Sequence, residues 1–176
     1  CMCACSGVRP PFFTLQRTGL DKVTRNLVPG SIGNICNWDD PELNAFALPD
    51  GTIVLVGTKY PGNIGSVARA MWNMGLDHLR LARPVCAIDE ESRRLARSGD
   101  AVLARARVHR SLQAALRGIR LTVGTTAKTG GYRRRAQTPR IMAPQIVAQA
   151  ARQKVAIVFG PEDTGLVDQD LRLCHM

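Results

Sequence analysis

Residues 52–75 read TIVLVGTKYPGNIGSVARAMWNMG, and this stretch decides the fold. Its first five residues are β-branched or apolar without alternation, as in a strand covered on both faces, and Gly57 ends the run. Asn63 then reads as the N-cap of a helix running to about Met74, with Gly75 as its C′ stop. Ile64, Val67, Ala68 and Met71 fall at i, i+3, i+4 and i+7, which makes one buried helix face.

The remainder of the chain repeats this strand-then-helix pattern. Leu79–Ala82 reads as the next strand. Asp89, Glu90 and Glu91 open a helix that Arg93, Arg94 and Arg97 close before Gly99, as the helix dipole prefers. A short helix follows Ser111, and residues 119–124 (IRLTVG) form a strand. Thr138-Pro139 is a cap-plus-N1 start for a helix to about Ala151, residues 155–160 (VAIVFG) are the last clear strand, and Asp168 caps a final turn or two. Apolar strands alternating with helices predict an α/β fold, a Rossmann-like parallel sheet with helices on both faces, over residues 51–176. Residues 1–50 lack any sustained period and contain Pro10-Pro11 and Pro29-Gly30, so they read as an irregular N-terminal extension of unknown role.

Hydrophobic residues make up 45% of the 176 and aromatic residues only 5%, so the core must be aliphatic. The net charge of +10 is uneven. Residues 1–50 hold four Lys/Arg and five Asp/Glu, whereas residues 51–176 hold twenty and nine. Such a surplus points to a polyanionic partner, because Lys and Arg contacts to phosphate release counterions and dominate nucleic-acid affinity. An arginine-rich surface from a GC-rich genome is the plainer alternative. No apolar run approaches the roughly 18–20 residues of a membrane helix, and the N-terminus lacks the regions of a signal peptide, so a soluble, cytoplasmic protein is expected. The spacing Cys1-Cys3-Cys5 does not suit a tetrahedral metal site, and the six cysteines suggest neither a metal nor a disulfide framework.

In open α/β sheets ligands bind beyond the carboxyl ends of the strands. Three such ends are rich in glycine or hydroxyl residues: 57–65, 124–128 and 159–166. None is a dinucleotide fingerprint or a Walker loop, which argues against an oxidoreductase or a nucleotide hydrolase. Together they carry a resemblance. Pro61–Gly75 (PGNIGSVARAMWNMG) resembles the first motif of the SpoU/TrmH branch of the SPOUT methyltransferases. Residues 123–128 (VGTTAK) resemble a strand-end loop of its TrmJ-like members, and residues 157–166 (IVFGPEDTGL) are similar to the second motif. Order and spacing agree over residues 52–175, about seven-tenths of the chain.

The resemblance implies an α/β-knotted domain that binds S-adenosylmethionine, works as a homodimer, and methylates a ribose 2′-hydroxyl in the anticodon loop of tRNA. Its motif places the catalytic arginine at Arg69. That residue lies off the buried helix face, beside Ser66 and Asn73, where it can point into a cleft. Arginine is too basic to serve readily as a base, so a grip on the target phosphate and polarisation of the hydroxyl are the expected roles. Asn63 is expected at the catalytic site as well as at the helix cap. Cofactor contacts are expected from Thr125, Thr126, Ala127, Gly160, Glu162, Gly165 and Leu166. Glu162 is expected to organise its loop by accepting hydrogen bonds rather than to act as acid or base. Lys128, Arg133, Arg134, Arg135 and Arg140, around Gly130-Gly131-Tyr132, make a basic segment suited to RNA phosphates. His78, His109 and His175 lack partners at useful spacing. The family pattern continues past the second motif with a strand, an Ile-Pro pair and a Ser-Leu-Asn stretch. This chain ends at Met176 before them, which predicts an incomplete knot, a shallow site and an exposed apolar edge. A catalytically dead RNA-binding remnant is the alternative reading.

Overall fold

Five parallel strands, in the order β3-β2-β1-β5-β4, form one sheet in a computed structural model that describes residues 51–127 and 136–176. In chain order the elements are β1 (Gly51–Val56), α1 (Pro61–Asn73), β2 (His78–Ala82), α2 (Glu90–Ala96), α3 (Asp100–Ala104), β3 (Arg107–His109), α4 (Leu112–Ala115), β4 (Leu121–Gly124), α5 (Pro139–Ala150), β5 (Val155–Phe159) and α6 (Asp168–Leu171). A 3-10 turn, Arg97–Gly99, joins α2 to α3. The segment 1–50, expected to be an irregular extension, lies outside the described residues.

β1 is central, paired with β2 on one side and β5 on the other, and all six of its residues are buried. That accounts for its unbroken apolar run. Ile53 and Leu55 face α1 in a core completed by Ile64, Ala68, Met71, Leu79, Leu81 and Val102. Val54 and Val56 face the other way, onto Leu112, Ala115 and Leu166. A smaller cluster under α5 joins Leu121, Val123 and Val155 to Ala150.

The expected helix over 63–74 begins two residues earlier, at Pro61, with Tyr60 as an N-cap that supplies no side-chain hydrogen bond. Proline at the first position is pre-set for the helix and has no amide to satisfy. Asn63 is therefore not the cap, and its side chain is released for other work. Gly75 does end the helix, at φ +69°. Two of the helix's buried glycines, Gly62 and Gly65, let α2 approach closely: a Cβ on Gly65 would overlap the backbone of Ser92.

α2 starts where its acids predict. Asp89 Oδ1 accepts from the Ser92 amide (3.0 Å) while Ser92 Oγ accepts from the Asp89 amide (3.3 Å), a reciprocal cap. Ser111 caps α4 by accepting from the Ala114 amide at 3.1 Å. The structure corrects two boundaries and adds a strand. Strand 119–124 begins at Leu121, Asp168 is the first residue of α6 behind an N-cap at Val167, and β3 has no counterpart in the sequence pattern because three residues carry no period.

Two long-range contacts fasten the periphery. Arg80 of β2 donates from Nη1 to the carbonyls of Ala115 (2.6 Å) and Arg117 (3.0 Å), closing the end of α4. Arg83 Nη2 donates to both oxygens of the buried Asp170 carboxylate, at 2.8 and 2.9 Å, tying α6 to the carboxyl end of β2. The last residues lie along β4. The Met176 amide donates to Thr122 O (3.3 Å) and the Gly124 amide to Met176 O (2.6 Å), the pattern of a parallel bridge. His175 Nδ1 accepts from the Thr122 amide at 3.0 Å, and His78 Nδ1 lies 3.5 Å from Asp77 Oδ1, so neither histidine stands alone as expected.

Candidate functional site

The three strands that carry the motif loops are neighbours: β1, β5 and β4 pair in parallel, so their carboxyl ends open side by side. Sequence separations of about a hundred residues collapse to hydrogen-bond distance there. Glu162, after β5, accepts from the Lys59 amide (3.2 Å to Oε2) and from Asn63 Nδ2 (2.8 Å to Oε1). Lys59 Nζ meets Asp163 Oδ2 at 2.7 Å. The first and second motif loops are thus joined by an acceptor and its donors, with an exposed ion pair that adds little stability of its own beside them.

Burial tends to raise the Glu162 pKa, but the hydrogen bonds from Asn63 and from backbone amides, Lys59 among them, outweigh it and hold the carboxyl below its ordinary value. Glu162 is therefore a carboxylate at neutral pH and an organiser of the loop. A depressed folded-state pKa stabilises the protein above the unfolded value and loses that contribution as pH falls through the folded one. Ligand affinity at this site is expected to hold through the ordinary value of 4.5 and to decline only as pH falls through the depressed folded value below it. Glu162→Gln should flatten that acid limb while weakening affinity several-fold at pH 7, measured by calorimetric titration across pH 3.5–7. An unchanged acid limb in the variant would remove Glu162 as its origin.

The loop after β5 folds back on itself. A Cβ at Gly160 would overlap the carbonyl carbon of Gly165 and the amide of Leu166, and the Gly165 amide donates to Pro161 O at 2.9 Å. Gly165 has φ +67°, and its outer side is open, with nothing within 4 Å of a Cβ placed there. Glycine is required at both positions, once for close approach and once for conformation. Leu166 is buried against Val56 and Val158 and anchors the loop in the core. At the end of β4 the Thr125 hydroxyl donates to Val158 O at 2.9 Å and its amide to the same oxygen at 3.0 Å. Its proton is committed to the backbone, so Thr125 faces any ligand as an acceptor. Thr126 is half-buried and Ala127 exposed beside it.

A groove of about 410 Å³ runs along α1 over β1 and β5, from Thr58, Asn63 and Gly160 at their carboxyl ends to Met74 and Leu76 beyond the other end of the helix. Its floor is apolar, from Ile53, Leu55 and Phe159, and its rim carries Asn63, Ser66, Gly160 and Glu162. That combination of apolar walls and a few convergent polar groups suits a small organic ligand. The expected residues therefore divide. Asn63, Gly160 and Glu162 share the cleft; Thr125, Thr126 and Ala127 do not line it and stand at the end of the neighbouring strand, β4; Leu166 supports the loop from the core. Arg69 is exposed on α1 and does not line the cleft, standing one turn beyond Ser66. Arg140 is exposed at the second position of α5. Lys128, Arg133, Arg134 and Arg135 lie outside the described residues. Lys59 is a site residue that the sequence reading does not single out; its position between a strand end and Pro61 is the available signal. Among the described residues no three metal-ligating side chains gather, and no helix is long and apolar enough to cross a membrane.

Comparison with known proteins bears on this geometry. The model of the SpoU rRNA methylase family matches residues 50–176. A tRNA (cytidine/uridine-2'-O-)-methyltransferase TrmJ of Escherichia coli (strain K12) is 42% identical over 123 residues, 70% of this chain and 50% of that protein. The chain spans about half the length of the curated relatives it matches. The structure of a probable methylase family protein from Haemophilus influenzae Rd KW20 superposes with a TM-score of 0.68 at 39% identity, covering 73% of this chain and 54% of the other. TrmJ from Z. mobilis ZM4 superposes with a TM-score of 0.62 at 34% identity, covering 70% and 55%. With the family model covering the whole strand-and-helix region and the motif loops gathered at one end of its sheet, this chain belongs to the SpoU rRNA methylase family.

Proposed function

We propose that this chain carries the catalytic domain of an S-adenosylmethionine-dependent tRNA ribose 2′-O-methyltransferase that acts in the anticodon loop. The observation that supports the reading best is the grip of Asn63 and the Lys59 amide on Glu162, which brings the two long motifs to one cleft. Relatives at 42% identity that are named tRNA (cytidine/uridine-2'-O-)-methyltransferase favour tRNA over other RNA. The residues present fit the cofactor. The open outer side of the Gly160–Gly165 turn leaves backbone free to approach, the cleft floor is apolar enough for a purine face, and an ionised Glu162 complements a sulfonium cation.

When bound, the cofactor supplies an activated methyl group, and transfer is an in-line displacement that needs no metal, so positioning supplies much of the rate. Gly160, Glu162, Gly165 and the Thr125–Ala127 turn position the donor. Arg69 grips the phosphate next to the target ribose, which lowers the cost of charge developing on the 2′-oxygen. Asn63 keeps Glu162 in place and stands at the rim where the ribose enters. Working as a homodimer in the cytoplasm belongs to this proposal. Nothing in the described residues favours the alternative of a dead remnant, since the loops and the cleft are formed. Calorimetric titration of S-adenosylhomocysteine into the chain tests the donor half of the reading: micromolar binding supports it, and absence of binding by a folded chain contradicts it.

A further inference from the structure

The charge of the domain is segregated along the chain. Between Ala101 and Pro161 there are twelve Lys or Arg and no Asp or Glu, while all nine acids of residues 51–176 lie at 77–100 and 162–170. Four of those twelve basic residues, Arg105, Arg107, Arg110 and Arg117, converge at one edge of the sheet. β3 is the edge strand, and Arg107 stands opposite Arg80 in register. Arg80 in turn reaches the carbonyls at the end of α4, which places Arg117 next to the same edge. Arg105 leads into β3 and Arg110 leaves it. All four are exposed, and of them only Arg105 meets an acid, Asp77 at 3.4 Å. Arg107, Arg110 and Arg117 have no ion pair among the described residues.

The cluster is a real concentration of like charge. Burial, and then the charge of Arg107, depress the pKa of Arg80. Burial and the two arginines depress that of His109, whose Nε2 is buried without a hydrogen-bond partner among the described residues. Keeping such charges together costs stability, and two purely structural explanations fall short. Edge protection does not require it: a charge of either sign deters strand pairing, and one or two suffice. Complementing the end of α4 does not either, because Arg80 already takes its carbonyls. Neither explains an acid-free run of sixty-one residues.

We propose that the β3–α4 edge, through Arg107, Arg110 and Arg117, is a contact surface for RNA phosphates that flanks the strand-end site. The inference rests on the RNA-substrate reading of the proposed function. A row along β3 leads toward the carboxyl ends of the strands, where Arg110 stands, so an RNA held at the cleft has phosphates within reach of it. Contacts of this kind hold and orient RNA without reading its sequence.

The test is a triple variant, Arg107→Ala/Arg110→Ala/Arg117→Ala, titrated with a fluorescein-labelled tRNA transcript at several salt concentrations. Binding should weaken about ten-fold or more at low salt, and the slope of log K against log salt should become shallower by about 2, at roughly 0.7–0.9 for each phosphate that is no longer neutralised. The affinity for S-adenosylhomocysteine should not change, which also reports that the variant is folded. Should the triple variant lose its fold, the single variants Arg107→Gln and Arg110→Gln each carry the same expectation at about a third of the slope change. Arg93→Ala/Arg94→Ala on α2 should leave RNA binding as in the parent chain. Equal affinity and equal slope for parent and triple variant would overturn this edge while leaving the RNA reading intact. A parent chain that holds no tRNA at any salt would overturn the RNA reading itself, and this inference with it.

Discussion

Gly160→Ala is expected to abolish S-adenosylhomocysteine binding and to lower the melting temperature by on the order of 10 °C. The added methyl group has nowhere to go, because the backbone of Gly165 and Leu166 occupies its place. Neither neighbour is the movable end of a side chain, and Leu166 is pinned in the core. The loop must open, at a cost of about 3 kcal/mol by the usual scale of overpacking, and each kcal/mol moves a domain of this size by roughly 3–5 °C. Gly65→Ala separates stability from site. Its Cβ would be driven into the backbone of Ser92 where α1 meets α2, away from the cleft. A comparable loss of melting temperature is expected there, with ligand affinity kept within about three-fold at 10 °C. If Gly160→Ala still bound the ligand as the parent does, the loop would not be part of the donor site.

Arg69→Ala is expected to slow methyl transfer by roughly 100-fold, on the scale of one missing transition-state donor, while leaving S-adenosylhomocysteine affinity and melting temperature nearly unchanged. The separation follows from placement. Arg69 is exposed on α1, outside the cleft lining and one turn from Ser66, so its removal neither opens a cavity nor touches the donor pocket. Arg69→Lys keeps the charge but loses the planar fork, and should recover only part of the rate. Single-turnover methylation of a tRNA transcript under saturating enzyme reads the chemical step directly. A rate for Arg69→Ala within a few-fold of the parent would remove this residue from the catalytic role.

Much of this is legible in the sequence, for identifiable reasons. β1 declares itself because a central parallel strand is buried on both faces and must be apolar throughout, and α1 because its buried stripe has a clean period. The cap at Asp89 and the stop at Gly75 are local chemistry and can be read locally. Asn63 shows where local reading fails. Its type and position suit a helix cap, but Pro61 fixes the helix start two residues earlier, and the amide side chain turns to Glu162, ninety-nine residues away. No period or spacing encodes that pair, nor the grip of Arg83 on Asp170, nor the approach of Arg80 to the end of α4. β3 escapes because a three-residue edge strand with a single, exposed valine is too short to show a period. The site loops are identified by resemblance. Their gathering at one end of the sheet needs the strand order, which places β5 between β1 and β4 although it follows both in the chain.

The proposed reaction is methyl transfer to a ribose 2′-hydroxyl of tRNA. Its most direct test is to incubate this chain with S-adenosyl-[methyl-³H]methionine and an unmodified tRNA transcript, and then to hydrolyse the product with alkali. A 2′-O-methyl group blocks cleavage at the next phosphate, so label is expected in an alkali-resistant dinucleotide from the anticodon loop, lost with Arg69→Ala. Label recovered only in mononucleotides would mean that a base is methylated instead, and would rule out ribose methylation.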